Sequence, residues 1–329
     1  MTNRTPLRWG LLGTARINQA VIGPIRSSKK SQLTAVASRS RDKAQSYART
    51  NHIPRFFEDY DALLNDPEID VIYNSLPNSL HALWSIKAMQ MGKHVLCEKP
   101  LTLTVEDADK IIEVSKQTGT VIAEAFMYRH HPQTLFIKKM IDDGKIGKIQ
   151  LIHGSFCYTN TRPNNIRLDP DLGGGSLWDV GCYPVGYSRL ITDEEPEEVY
   201  GYQVKGSTGI DLLFAGQLRF PSGVISQIDC SFISPHKATI EITGNKGRII
   251  INQPYKPGLK TQIMLEKNKE NQKISIVGAD LYKGEIDDLE KAILLHIPTR
   301  FSLQDSRANV KAIQALYQSA QLERPVKIT

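Results

Sequence analysis

The chain has 329 residues, which exceeds a typical single domain and fits two. It is 40% hydrophobic and 23% charged, and 41 Lys and Arg residues against 35 Asp and Glu residues leave a formal net charge of +6. These values are typical of a globular protein and exclude wholesale disorder. The scattered basic residues do not form the patch of a nucleic-acid-binding protein.

Cysteine spacing and hydropathy indicate a cytoplasmic protein. The 4 cysteines form no CxxC pair and no zinc-ligand spacing, and no cluster of His, Cys or carboxylate residues predicts a metal site. The polar N-terminus does not resemble a signal peptide, and no apolar run is long enough to cross a membrane. We therefore expect reduced thiols, no metal and no membrane partner.

The first third of the chain alternates short apolar runs with amphipathic patterns. The apolar runs predict strands at residues 7–12, 33–37, 71–73, 94–97 and 121–123. The amphipathic patterns predict helices through residues 21–22 and at 41–50, 59–64, 80–91 and 105–118. Thr104 is the expected N-cap of the last of these helices. Short strands that alternate with helices predict a doubly wound parallel sheet.

The pattern changes after residue 125, where β-rich stretches predominate. They predict strands at residues 148–158, 198–204, 211–220, 224–232, 237–243 and 247–252. Helices are predicted at residues 132–142, 284–295 and 303–322. We predict an α/β protein with an N-terminal Rossmann dinucleotide-binding domain at residues 1–125. An α+β domain with a large, mostly antiparallel sheet at residues 126–329 is expected to bind substrate and to mediate dimerisation.

The first predicted strand ends in a glycine turn, and residues 10–18 read GLLGTARIN. Gly13 permits the tight turn, small Ala15 lets a pyrophosphate approach the backbone, and the following helix N-terminus offers N–H groups to phosphate. The fingerprint is degraded, because Ala15 and Asn18 stand where the second and third glycines are usual. The residues expected to bind the cofactor here are Gly13, Thr14, Ala15, Arg16 and Ile17.

The end of the second predicted strand indicates which cofactor binds. An NAD enzyme usually places Asp or Glu there to accept hydrogen bonds from the ribose hydroxyls, but residues 38–41 read SRSR. Ser38 can donate a hydrogen bond, and Arg39 can grip a 2′-phosphate or stack on adenine. We therefore predict a preference for NADP(H), with NAD(H) as the alternative. A solvated helix start is the competing interpretation of Arg39 and Arg41.

Two further motifs point to a family. Glu98-Lys99-Pro100 ends a predicted strand, where ligands bind in doubly wound sheets, and Asp179 and Tyr183 are four residues apart, as on one helix face. With LPNSLH at residues 76–81 and EAFMYR at 124–129, these motifs resemble the Gfo/Idh/MocA family along the whole chain. Many members carry His where this chain has Tyr183. That tyrosine resembles the branch of dimeric dihydrodiol dehydrogenase and NADP-dependent D-xylose dehydrogenase.

The resemblance implies hydride transfer between NADP(H) and a sugar or a related cyclic polyol or carbonyl compound. A base must take the hydroxyl proton, and a free tyrosine with a pKa near ~10 is a poor base at neutral pH unless an ammonium stabilises the phenolate. We therefore assign Tyr183 as the general acid/base and Lys99 as its electrostatic partner and substrate ligand. Asp179 would orient the substrate or Lys99, and Arg129 is expected to line the substrate pocket.

Other residues complete the expected sites. The loop after the fourth Rossmann strand is expected to contact the nicotinamide ribose, with His81 more suited to fixing that loop than to chemistry. The remaining expected cofactor contacts are Ser75, Leu76, Pro77, Asn78, His81, Glu98 and Lys99. Arg162 and Arg167 either close over cofactor or substrate or lie in a solvated loop.

Two alternative functions remain open at this point. One is a trans-dihydrodiol dehydrogenase, and the other is a non-catalytic NADP-binding sensor. The presence of Lys99, Asp179 and Tyr183 together argues against a sensor, which has no need of them. The resemblance also suggests a homodimer or higher homo-oligomer in which the open faces of the second domain's sheets pack together.

Overall fold

The computed structural model describes residues 6–160, 162 and 165–328. The chain divides into two compact units. One unit comprises Met1–Met127 and Tyr282–Arg307, and the other comprises Tyr128–Leu281 and Ala308–Thr329. The sequence predicted one cut near residue 125, so the return of residues 282–307 to the first unit is a difference from that boundary.

The first unit is built on a parallel sheet. Its strands are β1 (Leu7–Leu12), β2 (Ser31–Ala37), β3 (Arg55–Phe57), β4 (Val71–Asn74), β5 (His94–Glu98) and β6 (Ile122–Ala125). Its first five helices are α1 (Asn18–Ser27), α2 (Arg41–Thr50), α3 (Tyr60–Asn65), α4 (His81–Gln90) and α5 (Val105–Thr118). The strand order is β3-β2-β1-β4-β5-β6, which confirms the predicted doubly wound arrangement and places the point of strand reversal between β1 and β4.

Helices cover both faces of this sheet. Trp9 of β1 packs in one apolar core with Val21 of α1, whereas Ile72 of β4 packs in the other core with Leu63 of α3 and Met89 of α4. All six residues of β1 are buried, which is the pattern of a parallel strand between two helical layers. The Thr104 hydroxyl accepts a hydrogen bond from the Asp107 N–H at 3.1 Å, which confirms the predicted cap of α5.

The second unit contains a sheet of nine strands among its described residues. The strands are β7 (Ile149–Cys157), β8 (Glu198–Lys205), β9 (Asp211–Arg219), β10 (Ile225–Ser231), β11 (Lys237–Gly244), β12 (Gly247–Asn252), β13 (Lys260–Lys267), β14 (Glu270–Val277) and β15 (Val326–Lys327). The order is β14-β13-β12-β11-β7-β10-β9-β8-β15. Only β7 and β10 run parallel among the described pairs, so the sheet is mostly antiparallel, as predicted.

Four further helices complete the described structure. They are α6 (Pro132–Asp142), α7 (Cys182–Thr192), α8 (Lys283–Leu295) and α9 (Leu303–Leu322). Helix α8 belongs to the first unit because Ile286, Leu289 and Ile293 are buried in the same core as β1 and α1. The Glu290 carboxylate also accepts a hydrogen bond from the Ser31 hydroxyl at 2.6 Å. No helix of the described residues is both long enough and apolar enough to cross a membrane.

Candidate active site

The glycine turn after β1 has the backbone that a dinucleotide requires. Gly13 has a φ of +95°, and a Cβ at this position would lie 3.1 Å from the Leu76 side chain, so a side chain there would be both strained and crowded. The Gly13 N–H donates to the Ala37 carbonyl at 3.0 Å. The turn is therefore anchored to the end of β2, beside the point where the strand order reverses.

Asn18 explains why the third glycine of the fingerprint is absent. Its side chain is fully buried, and its Nδ2 donates to the Gly13 carbonyl at 2.9 Å. Its Oδ1 accepts from the Ser75 hydroxyl at 2.6 Å. Asn18 therefore joins the glycine turn to the loop after β4, and a glycine could not make this connection. The sequence showed Asn18 only as a departure from the motif.

The residues between the turn and α1 present main-chain donors. The first-turn N–H groups of Asn18 and Gln19 donate to the Ala15 and Arg16 carbonyls. Among the described residues, no acceptor is found for the backbone N–H groups of residues 14–17. The first turn of α1 contains no acidic residue that would repel phosphate. Open N–H groups at the positive end of a helix dipole fit a dinucleotide pyrophosphate.

The end of β2 presents a cation and no carboxylate. Arg39 is exposed. Burial raises the pKa of the Tyr60 hydroxyl, and the nearby Arg39 cation opposes that rise. The Tyr60 hydroxyl oxygen lies 4.0 Å from the position that a Cβ on Gly13 would take. The exposed Arg41 instead pairs with Glu58 at 3.4 Å. Arg39 thus lies near Tyr60, whose hydroxyl borders the glycine turn, and the sequence did not identify Tyr60.

The loop after β4 is fixed by His81. The ring is fully buried, and its Nδ1 and Nε2 lie 2.7 and 2.8 Å from the Pro100 and Leu76 carbonyl oxygens. Burial lowers the pKa of His81, and the nearby Lys99 acts in the same direction. His81 therefore connects the 75–78 loop to the Lys99-Pro100 segment, which fits the fixing role expected for it.

Lys99 follows the carboxyl end of β5 directly and is half-buried. The preceding Glu98 accepts a hydrogen bond from the Tyr73 hydroxyl. The Leu101 N–H donates to the Glu124 carboxylate at 2.8 Å, so the backbone after Lys99 is also fixed. The sheet thus places Lys99 at the edge where doubly wound folds bind their ligands.

Asp179 and Tyr183 lie in the second unit, where the glycine-rich segment leads into α7. Residues Leu177–Gly181 form a π-helical turn, and α7 begins at Cys182. The predicted single α-helical face is therefore a junction of two helix types. Such π turns are frequent at functional sites.

A buried carboxylate holds the start of this turn. Asp211 accepts hydrogen bonds from the Ser176 hydroxyl at 2.6 Å, the Leu177 N–H at 2.8 Å and the Tyr317 hydroxyl at 2.6 Å. Burial raises the pKa of Asp211. A Cβ at Gly175 would lie 2.4 Å from the Asp211 carboxylate, so this glycine is needed for the close approach. Sequence reasoning missed Asp211, because the contact spans more than thirty residues.

Asp179 is engaged in an ion pair. Its Oδ2 accepts from Arg167 Nε at 2.8 Å and from the Tyr158 hydroxyl at 2.9 Å. The Asp179 carboxylate raises the pKa of Arg167, and Tyr158 and Tyr183 contribute in the same direction. Burial raises the pKa of Tyr158, as does the neighbouring Asp179, so Tyr158 is a hydrogen-bond donor here. Sequence reasoning did not single out Tyr158.

Tyr183 is held by aromatic packing in the first turn of α7. Its side chain is 4% exposed, and its ring centroid lies 5.3 Å from Phe156, 5.5 Å from Tyr255 and 5.7 Å from Tyr128. The ring is therefore fixed, about one helical turn after Asp179, the partner of Arg167. Arg129 is also buried in this unit.

The structure thus places the predicted residues in two groups, one in each unit. The first unit brings together the glycine turn, Ser38, Arg39, the 75–78 loop and Lys99, whereas Asp179, Tyr183 and Arg129 belong to the second unit. A doubly wound dinucleotide domain followed by an α+β domain with a fixed acid/base candidate is the organisation of a two-domain, nucleotide-dependent oxidoreductase.

Comparisons with known proteins agree with this class. Residues 7–126 match the domain described as "Oxidoreductase family, NAD-binding Rossmann fold" of GFO/IDH/MocA, and residues 134–250 match the GFO/IDH/MocA C-terminal domain. The chain belongs to the Gfo/Idh/MocA oxidoreductase family, as the sequence motifs indicated.

Individual relatives cover most of the chain. D-xylose 1-dehydrogenase (NADP(+)) 2 of Haloferax volcanii is 30% identical, over 98% of this chain and 100% of that protein. Trans-1,2-dihydrobenzene-1,2-diol dehydrogenase of Danio rerio is 28% identical, over 74% and 73%. A 3-ketoreductase from Actinomadura kijaniata, solved with NADP and TDP-benzene, superposes with a TM-score of 0.92 at 28% identity, over 95% and 98%.

Proposed function

We propose that this protein is an NADP(H)-dependent dehydrogenase or reductase acting on a sugar or a related cyclic polyol or carbonyl compound. Tyr183 is its general acid/base, and Lys99 is the electrostatic partner of Tyr183. The observation that carries the proposal is the environment of Tyr183. A phenol is fixed by three aromatic rings beside an Arg167–Asp179 ion pair, which is an arrangement suited to moving a proton at a defined point.

The chemistry follows from what each side chain can do. NADP(H), when bound by the glycine turn and Arg39, would supply the hydride chemistry at the carbinol carbon in either direction. In oxidation, the Tyr183 hydroxyl oxygen takes the proton of the substrate hydroxyl; in reduction, it donates a proton to the carbonyl oxygen. A cation beside a phenol favours the phenolate, and this is the role proposed for the Lys99 ammonium and the Arg167 guanidinium toward Tyr183. Asp179 orients the substrate through its carboxylate.

The preference for NADP(H) is supported by the end of β2. Arg39 lies near Tyr60, whose hydroxyl borders the glycine turn, and Ser38 is the adjacent donor. The neighbouring carboxylates are committed elsewhere: Glu58 pairs with Arg41, and Asp59 caps α3. A guanidinium without a competing carboxylate suits a 2′-phosphate. Both the xylose dehydrogenase relative and the ketoreductase structure carry NADP in their names.

Steady-state kinetics with both cofactors test this part of the proposal. We expect kcat/KM for NADP(H) to exceed that for NAD(H), and Arg39→Ala to lower the NADP(H) value by about tenfold or more, since a charge-assisted hydrogen bond is lost. The NAD(H) value should change little. Arg41→Ala is the matched control and should leave both values near those of the wild type. Equal use of both cofactors by the wild type would reject the preference.

A substrate screen monitored by NADPH absorbance tests the reaction itself. Turnover of aldoses supports the proposal, whereas turnover of trans-dihydrodiols alone supports the alternative in the same reaction class. The diol dehydrogenase relative makes that alternative specific. Tight NADP(H) binding without turnover across aldoses, ketoses and cyclic diols would instead favour a sensor.

A further inference from the structure

The main chain of Arg167 is fixed against the glycine-rich segment that precedes Asp179. It lies in the short 3-10 turn Ile166–Leu168, and its carbonyl accepts a hydrogen bond from the Gly175 N–H at 3.0 Å. A Cβ at Gly174 would lie 2.6 Å from that same carbonyl. The glycines at 174 and 175 therefore allow the chain to approach Arg167 closely, and Arg167 does not belong to a solvated loop.

The side chain of Arg167 is only partly used by the protein. Nε donates to Asp179 at 2.8 Å, yet 42% of the side chain is exposed. Across residues 6–160, 162 and 165–328, the two Nη groups have no hydrogen-bond acceptor. A guanidinium carries donors in a fixed planar fork. Fixing Nε on Asp179 thus presents the remaining donors in a defined direction.

Charge balance indicates what these donors can bind. The guanidinium is already neutralised by Asp179, and an anionic ligand group would meet that carboxylate a few ångströms away. A hydroxyl suits the pair better, because it can accept from an Nη group and donate to a carboxylate. Asp179 lies four residues before Tyr183, about one helical turn across the junction of the π-helical turn and α7, so its bond to Arg167 brings this donor–acceptor pair to the region of the phenol that moves the proton. The bound hydroxyl would then be the one carried by the carbon next to the reacting carbon.

We propose that Arg167 is a specificity-determining residue that binds the hydroxyl neighbouring the reacting one, so that the substrate must carry a vicinal diol or its α-hydroxycarbonyl counterpart. The inference rests on the proposed function, because it takes Tyr183 as the group that moves the proton. It also goes beyond that function, because it names a requirement, the vicinal diol, that both candidate substrate classes meet: aldoses and trans-dihydrodiols. Simple alcohols lack it, and 2-deoxy aldoses lack it at the anomeric carbon, where the hydroxyl on the neighbouring C2 is missing.

A substrate–mutant cycle tests the inference. The substrate pairs are D-glucose with 2-deoxy-D-glucose, D-ribose with 2-deoxy-D-ribose, and trans-1,2-cyclohexanediol with cyclohexanol. Each is assayed as kcat/KM with NADP for the wild type, Arg167→Met and Arg167→Lys. Arg162→Met is the matched control, because this exposed arginine precedes Arg167 in the same segment. Calorimetric titration of each polyol into the NADPH complex gives a second readout besides activity.

The expected result is a change in discrimination. The wild type should prefer the hydroxylated member of a pair by about tenfold or more, the range of a charge-assisted hydrogen bond. Arg167→Met should reduce that preference towards one, and Arg167→Lys should retain part of the activity but little of the preference. Arg162→Met should keep the wild-type ratio. Intrinsic reactivity differences between paired substrates cancel in the ratio of ratios.

The contrary outcomes are distinguishable. If Arg167→Met slows both members of each pair by the same factor, or if the wild type does not discriminate between them, Arg167 does not bind the neighbouring hydroxyl. The proposed function would survive either result. If no aldose or diol is turned over and none binds the NADPH complex, the proposed function fails and this inference fails with it.

Discussion

At the scale of single residues, the role of Tyr183 can be isolated by removing one oxygen. Tyr183→Phe keeps the ring among Phe156, Tyr255 and Tyr128, so the fold should be retained. Loss of the proton-transfer group should lower kcat by about 100-fold or more. Steady-state kinetics at saturating NADP measures this effect, and near-UV circular dichroism checks the packing.

Tyr187 provides a matched control for that substitution. It lies one turn further along α7, is fully buried and stacks on Tyr128 at 5.5 Å. Its hydroxyl is buried without a hydrogen-bond partner among the described residues, so Tyr187→Phe should be tolerated by the fold and cause no comparable loss of kcat. Equal losses of kcat in the two variants would show that the effect comes from packing, and full activity of Tyr183→Phe would remove Tyr183 from the mechanism.

The residue types of the site were readable from sequence, but their partners were not. Lys99, Asp179 and Tyr183 stand in recognisable motifs. In contrast, the sequence shows Asn18 only as a departure from the glycine fingerprint, and the structure gives the reason, which is its hydrogen bonds to Gly13 and Ser75. Such contacts join residues that are distant along the chain, and one sequence contains no signal for the pairing.

At the scale of elements, a pH-dependent hydrogen bond joins the start of β5 to the residue just before β6. His94 begins β5, and its Nδ1 accepts a hydrogen bond from the Val121 N–H at 2.9 Å. Burial lowers the pKa of His94 to about 4, although Asp70 opposes the shift and His296 adds to it. An unfolded chain has a His pKa near ~6.5. The unfolded state therefore binds the proton first as the pH falls.

The free energy of unfolding should consequently fall with acidification between about pH 6.5 and the folded pKa of His94. The limit for one such group is about 1.4 kcal/mol per pH unit. His94→Gln keeps an acceptor for Val121 but cannot titrate, so it should flatten this slope in urea titrations at pH 7, 6 and 5. Exposed His52→Gln is the control. An unchanged slope in His94→Gln would contradict the expectation.

The elements themselves were largely predictable where their pattern is local. Thr104 predicted the start of α5, and short, largely apolar runs predicted β1 and β5. The hairpin of β13 and β14 was missed because most of the residues of β14 are exposed and polar, which removes the alternation that marks a strand. The π-helical turn before α7 was also missed, since it depends on Asp211 from a distant strand.

At the scale of the whole molecule, the fold class followed from the sequence, but the path of the chain did not. The first third predicted the parallel sheet, and the β-rich remainder predicted the antiparallel one. Residues 282–307 were assigned to the second domain by position alone. Their place in the first unit depends on Ile286 and Leu289, which pack in the core of β1 and α1, and on Glu290, which bonds Ser31, a residue 259 positions earlier. No local pattern can indicate these contacts.

The nine-stranded sheet leaves one further expectation, that two chains associate through its open face. On this face Ile225 of β10 pairs in register with Leu151 of β7, and these side chains are 41% and 38% exposed. Tyr202 of β8 adds an aromatic ring that is 60% exposed. Exposed apolar side chains on adjacent strands are typical of an interface.

We expect sedimentation velocity to show a dimer at micromolar concentration and Ile225→Arg to weaken it by about 100-fold or more, since a charge would be buried unpaired. Leu83→Arg, which changes an exposed leucine in the first unit, should leave the dimer intact. A monomeric wild type at that concentration, or equal effects of both variants, would rule out this interface.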